Sequence, residues 1–191
     1  MKVLLTVSIL ATCLGLSMPV LANEQTVSLG YAHSKIQDAK GLNGVNIKYR
    51  YEWNSPLSVI GSITYMTSKA EYSPSGSKDI IHNKADINYF SLSAGPAYRF
   101  NPLVSVYGLL GINVDRAKYS SSWLNYESGS YRDMGTEYGR KTKAAFMYGA
   151  GIQINPVNNV AIDIGYEGTS INDDNKTHAI NGFNIGIGYR F

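Results

Sequence analysis

Histidine occurs at only three places in this chain of 191 residues, His33, His82 and His178, far apart and without a supporting motif. Hydrolysis or acyl transfer needs a nucleophile or an activated water held by a base. A metal site needs His, Cys, Asp or Glu at ligand spacing. Neither pattern occurs, so the sequence implies no catalytic residue, no metal and no cofactor. The remaining candidates for acid–base chemistry are charged residues that recur at two-residue spacing or share its phase: Lys48, Arg50, Glu52, Arg99, Asp163, Glu167 and Arg190. Both signs are present, and buried charges must be paired. The expectation is therefore a network of internal salt bridges rather than an active site.

The elements that carry these residues follow from a period of two. The chain ends in "FNIGIGYRF", where Phe183, Ile185, Ile187, Tyr189 and Phe191 alternate with Asn184, Gly186, Gly188 and Arg190. Successive side chains of a strand point to opposite faces, so one face is oily and the other polar. Eight such segments can be drawn, near 25–34, 43–53, 57–67, 87–100, 103–114, 142–155, 159–169 and 180–191. In the fourth, Ile87 and Tyr89 fall out of phase with Phe90, which suggests a bulge or a passage from membrane to water.

Short connections built on "NSP", "NP" and "NPVNN" alternate with longer polar ones near 35–42, 68–86, 115–141 and 170–179. In an up-and-down sheet this puts every tight turn at one end and every long loop at the other. The polar face is dominated by Gly and Ser, aromatics gather near the ends of the apolar face, and each run has about the 9–11 residues of a tilted membrane strand. These features favour lipid outside and polar groups inside over a soluble sandwich. The fold class expected is all-β, an eight-stranded antiparallel up-and-down transmembrane β-barrel with four longer loops. It must close, because an unpaired backbone group in hydrocarbon costs several kcal/mol. Eight strands enclose a lumen that side chains fill, so no open pore is expected.

Residues 1–22 read as a cleaved signal peptide: Lys2, an apolar run, Pro19, and then Val20 and Ala22 at the cleavage positions. A spanning anchor needs a longer run with a basic flank, and a lipoprotein signal at Cys13 lacks the usual small residue before it. The barrel domain is then 23–191, with no cysteine. The net charge of +3 is spread out, unlike the basic patch of a nucleic-acid binder. A monomer is expected.

"KYRYE" at 48–52, "AGPAYRF" at 94–100, "YGAGIQINP" at 148–156, "VAIDIGYEGTSI" at 160–171 and the terminal "GYRF" resemble the OmpX/Ail/PagC/Lom family of enterobacterial outer-membrane proteins. The resemblance covers the whole mature chain and is weakest in the long loops. It implies an outer-membrane barrel with loops at the cell surface and a terminal Phe191 read by the barrel-assembly machinery. It also implies Ail-like host-cell attachment and invasion, binding of matrix proteins or glycans and resistance to complement, or PagC-like survival in phagocytes.

The loops must decide between these roles. Residues 115–143 interleave Trp123, Tyr126 and Tyr131 with Arg132 and Arg140, and "ESGS" can form a hairpin tip. Aromatic and Arg side chains carry most interface energy, so a protruding ribbon presenting them to a protein or glycan is one reading. Cross-strand pairs that merely stiffen the ribbon are the other. The 68–86 loop offers Lys69 and Lys78; strands extending there would expose edges able to accept a partner strand, and a solvated loop is the alternative. Lys35, Lys40, Lys141 and Lys143 are expected near the outer rim, where outer-membrane lipid carries the phosphates of lipopolysaccharide.

Overall fold

The computed structural model describes residues 24–36, 41–72, 80–127, 129–173 and 176–191. The expected leader, Lys40 and Lys78 lie outside them. Eight strands follow one another: β1 (Gln25–Ile36), β2 (Leu42–Glu52), β3 (Leu57–Tyr72), β4 (Ile80–Arg99), β5 (Val104–Glu127), β6 (Ser130–Val157), β7 (Val160–Asp173) and β8 (Lys176–Arg190). Each pairs antiparallel with its sequence neighbours, and β1 pairs with β8, so the sheet is a closed barrel. The seam runs from Thr26↔Arg190 to Ile36↔Ile180. At its base Gln25 N–H donates to the Phe191 carbonyl at 2.8 Å and Phe191 N–H to the Gln25 carbonyl at 2.9 Å.

Alternation decides what faces where. Leu29, Ile63, Leu92, Ile112, Ile162 and Ile187 are exposed on the outer wall, while their neighbours Ser28, Ser62, Ser91, Asn113 and Asp163 are buried inside. A water-soluble sheet that hid its serines and displayed its isoleucines would be unstable; in a bilayer the same arrangement is favourable. Aromatic contacts lie near the base of the wall, with Tyr98 and Phe100 edge to face at 5.1 Å and Tyr189 stacked on Phe191 at 6.2 Å. The tight turns are held by short side chains: Asn101 Oδ1 accepts from the N–H groups of Leu103 and Val104 at 2.9 and 2.8 Å, and Ser55 Oγ from that of Leu57 at 3.2 Å.

Strand pairing decides two readings that the sequence left open. β4 carries no bulge near Phe90, because its register with β3 is unbroken from Leu57↔Tyr98 to Tyr72↔Asn83. Tyr89 and Ile87 instead point inward, where Tyr89 packs with Ala32, Leu42, Met66 and Ile180 in an apolar layer across the outer part of the lumen. The long connections at 68–86 and 115–141 are also not loops for most of their length. β4 and β5 stay paired up to Ile80↔Leu124, and β5 and β6 up to Glu127↔Ser130, where Gly129 turns the chain at φ 88°. A bulge between Ser122 and Leu124, with Gly135 at φ 102°, interrupts that hairpin once.

The lumen is tight enough to demand glycine. A Cβ on inward-facing Gly44 would lie 1.9 Å from the Tyr65 carbonyl oxygen, whereas one on Gly108, on the outer wall, would meet nothing within 4 Å. Gly44→Ala is expected to destabilise the barrel by about 1–3 kcal/mol through overpacking. Gly108→Ala should leave it unchanged. Unfolding in urea from lipid vesicles, followed by the loss of gel heat-modifiability, compares the two.

Candidate functional site

The inward charges form layers. Nearest the tight turns, Glu52 receives hydrogen bonds from Arg99 and from Arg190, the latter at 3.2 Å, and Glu24 also pairs with Arg190. One step further in, the Arg50 guanidinium donates to Ser58 Oγ and Gln153 Oε1, both at 2.9 Å, and lies 3.5 Å from Glu52. At the next level Lys48 Nζ donates to Asp163 Oδ1 at 2.6 Å and to Asn184 Oδ1 at 2.5 Å, while the Tyr107 hydroxyl donates to the same Asp163 oxygen at 2.9 Å. Above that, Glu167 accepts from Thr64 Oγ1 at 2.8 Å and from the Tyr89 hydroxyl.

The structure therefore brings Lys48, Arg50, Glu52, Arg99, Asp163 and Arg190 into ion pairs. Glu167 differs, because hydroxyl groups rather than a cation satisfy its carboxylate. Sequence reasoning missed Thr64, Tyr89, Tyr107, Gln153 and Asn184 as members of this network. All lie on the inward parity, so the signal was present. Apolar side chains reinforce the seal: Ile60, Ala97, Tyr107 and Leu109 pack together inside the barrel. Glu52, Asp163 and Glu167 each accept hydrogen bonds from side chains of other strands inside the barrel.

The surface candidates lie on the extensions of β3, β4, β5 and β6. β2 pairs with β3 only as far as Asn43↔Thr67, and β7 pairs with β6 only as far as Met147↔Thr169. Beyond those rows β3, β4, β5 and β6 continue as a ribbon, while β7 and β8 stay paired only with each other, from Ser170↔Ala179 to Asp173↔Lys176. The ribbon's margins are residues 68–72 of β3 and 130–146 of β6. Trp123 sits opposite Ile81 and is 44% exposed, beside a cleft of about 530 Å³ that Met134 and Glu137 also line. Tyr126 and Tyr131 face each other edge to face at 5.2 Å near the tip, the stiffening contact that was the alternative to a binding role for these two. Arg132 is exposed beside them opposite Asn125, and Arg140 is exposed opposite Lys118. Lys69 is exposed on β3 opposite Asp86. Of the rim lysines, Lys35 is exposed on the outward parity of β1. Lys141 and Lys143 share the inward parity of Met147 and Gln153 and so look toward the mouth of the barrel.

The description of the enterobacterial Ail/Lom protein family matches residues 1–191. The chain belongs to that family. Among curated Ail/Lom relatives, it is 41% identical to the virulence membrane protein PagC of Salmonella typhimurium over 89% of this chain and 88% of that one. It is 39% identical to the attachment invasion locus protein of Yersinia pseudotuberculosis, over 98% and 96% of the two chains. Outer membrane protein X of Escherichia coli K12 is 38% identical over the full length of both. The crystal structure of Ail from Yersinia pestis, solved in complex with the heparin analogue sucrose octasulfate, is similar at a TM-score of 0.66. That alignment has 34% identity and covers 88% of this chain and 99% of Ail. This Ail/Lom chain is thus an outer-membrane β-barrel of a group that includes virulence proteins.

Two results are expected from the lumen. Lys48→Met, which leaves Asp163 buried without its cation, should cost about 3–5 kcal/mol, and the double variant Lys48→Met/Asp163→Asn should recover part of the loss. Urea unfolding in vesicles measures both. In planar bilayers the purified barrel should give no discrete conductance steps, because ion pairs and apolar side chains occupy the lumen.

Proposed function

We propose that this chain is a cell-surface binding protein that attaches the bacterium to host cells through its ribbon. The partners it suits are extracellular-matrix proteins, complement-regulatory proteins or acidic glycans, and the role is binding rather than catalysis. The observation that carries this reading is the four-stranded ribbon, which rises beyond the barrel with Trp123, Tyr131 and Met134 exposed and with one margin, residues 130–146, paired to β5 on one side and to no described strand on the other. A free strand edge offers backbone N–H and C=O groups to an extended peptide, a mode that tolerates many sequences. The exposed Trp and Tyr beside it are of the residue types that anchor interfaces. The Yersinia Ail structure with a heparin analogue supports an acidic glycan as one ligand class. In this reading residues 1–22 are removed on export, and Phe191 serves the assembly machinery while its ring faces lipid.

A second reading, PagC-like support of survival inside phagocytes without a dedicated ligand, is favoured by the 41% identity to PagC. Replacing residues 119–138 with a short Gly-Ser turn separates the two. Under the first reading, bacteria displaying the shortened protein lose at least ten-fold in attachment to epithelial cells and in laminin, fibronectin or heparin capture, while the barrel stays heat-modifiable. Attachment equal to that of the intact protein would instead support the second.

A further inference from the structure

The charges inside the barrel are not shared evenly along its length. Nearest the tight turns, Arg50, Arg99 and Arg190 meet the carboxylates of Glu24 and Glu52, so cations are in excess there. Midway, Lys48 balances Asp163. Toward the outer mouth lie two more carboxylates, Glu167 and Asp115, each only 7% exposed. Among the described residues no ion pair includes either of them.

Asp115 belongs to a block of four inward side chains on β4 and β5. Tyr89 stands opposite Asp115, and one step deeper Ser91 stands opposite Asn113. Strand β7 closes the block from across the lumen, where Thr169 Oγ1 donates to Asn113 Oδ1 at 2.8 Å and Glu167 accepts from the Tyr89 hydroxyl. Asn113 in turn donates to Asp115 Oδ2. Two enclosed oxygens of the block have no hydrogen-bond partner: Asp115 Oδ1 and Ser91 Oγ, the serine being 1% exposed. Ser91 and Asp115 are diagonal neighbours, with Cα atoms about 7–8 Å apart. An ion with oxygen ligands at about 2.3–2.6 Å spans the gap between two such side chains.

A carboxylate enclosed without a cation is costly, so its charge must be relieved by a proton or by an ion. A proton on Asp115 Oδ1 would turn an acceptor without a partner into a donor without one. A cation instead engages Asp115 Oδ1 and Ser91 Oγ together, and a divalent one neutralises Asp115 and Glu167 at once. No group of three carboxylate, imidazole or thiol side chains converges among the described residues. The available set is therefore two carboxylates completed by neutral oxygens, which suits a hard ion rather than zinc. Its irregular arrangement suits calcium better than magnesium, which demands a near-octahedral shell.

We propose that the outer lumen is a binding site for one hard divalent cation, held by Asp115 Oδ1, Ser91 Oγ and the Glu167 carboxylate, with Asn113 and Tyr89 positioning these ligands. The ion ties the β4–β5 wall to β7 across the lumen, just inside the rows where β7 parts from β6. The site does not depend on the proposed role in attachment.

The test uses the purified full-length barrel in phosphatidylcholine vesicles at neutral pH, stripped with EDTA and then supplied with calcium, magnesium or sodium chloride at matched ionic strength. Calcium should raise the midpoint of thermal unfolding of the wild type by several degrees, saturating at about 10⁻⁴–10⁻³ M, the range of weak oxygen sites. Equilibrium dialysis should find one calcium ion per barrel. Magnesium should give a smaller shift and sodium none. Asp115→Asn should lose the calcium shift, yet in EDTA should unfold no lower than the wild type, because it removes the uncompensated charge. Ser91→Ala should fold normally and need at least five-fold more calcium, whereas Asp86→Asn, on the outward face of the ribbon, should behave as the wild type. A wild type indifferent to calcium would overturn the proposal, as would an Asp115→Asn barrel that keeps the shift. If mild acidification in EDTA stabilises the wild type and calcium adds nothing, a proton relieves Asp115 and the metal assignment is wrong. Loss of the shift in Asp86→Asn but not in Asp115→Asn would move calcium to the ribbon surface and equally refute the site.

Discussion

Every backbone N–H and C=O in the hydrocarbon layer must find a partner within the protein, and this one requirement shapes the molecule. A sheet meets it only by joining its first strand to its last, as Gln25 and Phe191 do at the base of the seam. Closing eight strands leaves a narrow cylinder, and that narrowness dictates the inward residues. Where two backbones approach, as at Gly44 beside the Tyr65 carbonyl, only hydrogen fits. Elsewhere polar side chains must satisfy one another, because little water can enter to do it for them.

The charged layers follow from the same confinement. A buried carboxylate such as Asp163 is tolerable when Lys48 and Tyr107 both point at it, and costly otherwise. These pairs join strands remote in sequence, Lys48 on β2 to Asp163 on β7 and Arg50 on β2 to Gln153 on β6. They cross the lumen rather than running along the wall. Such links add little net stability over an apolar filling, but a misregistered sheet would break them, since a slip of one residue turns every inward group outward.

Above the bilayer the constraint relaxes, because water can satisfy an unpaired edge. There β3 to β6 outgrow their neighbours, and the edge at residues 130–146 is left without a strand partner among the described residues. The alternation of side chains nevertheless persists through the boundary. One face of β5 therefore passes from apolar Ile112 and Val114 to charged Arg116 and Lys118, while the other passes from lumen-filling Leu109 and Asn113 toward Tyr119 and Trp123. The ribbon inherits two chemically distinct faces from a barrel that needed them for another reason.

Alternation is local, so the sequence alone determined which side chains share a face: the lipid wall of Ile185 and Ile187, the inward set from Lys48 to Arg190, and the eight strands with their order of short and long connections. The extent of each strand was less legible, because the polar composition of 68–86 and 115–141 suits a solvated loop as well as a ribbon in water, and only pairing with a neighbour distinguishes them. The inward turn of Tyr89 looked like a slip of phase until Leu42, Met66 and Ile180 were seen to meet it across the lumen. Tertiary structure alone decided that Arg116, Lys118 and Arg140 gather on the lipid side while Lys141 and Lys143 turn away. That choice depends on the register between β5 and β6, and register is set by hydrogen bonds between strands rather than by the pattern within either one.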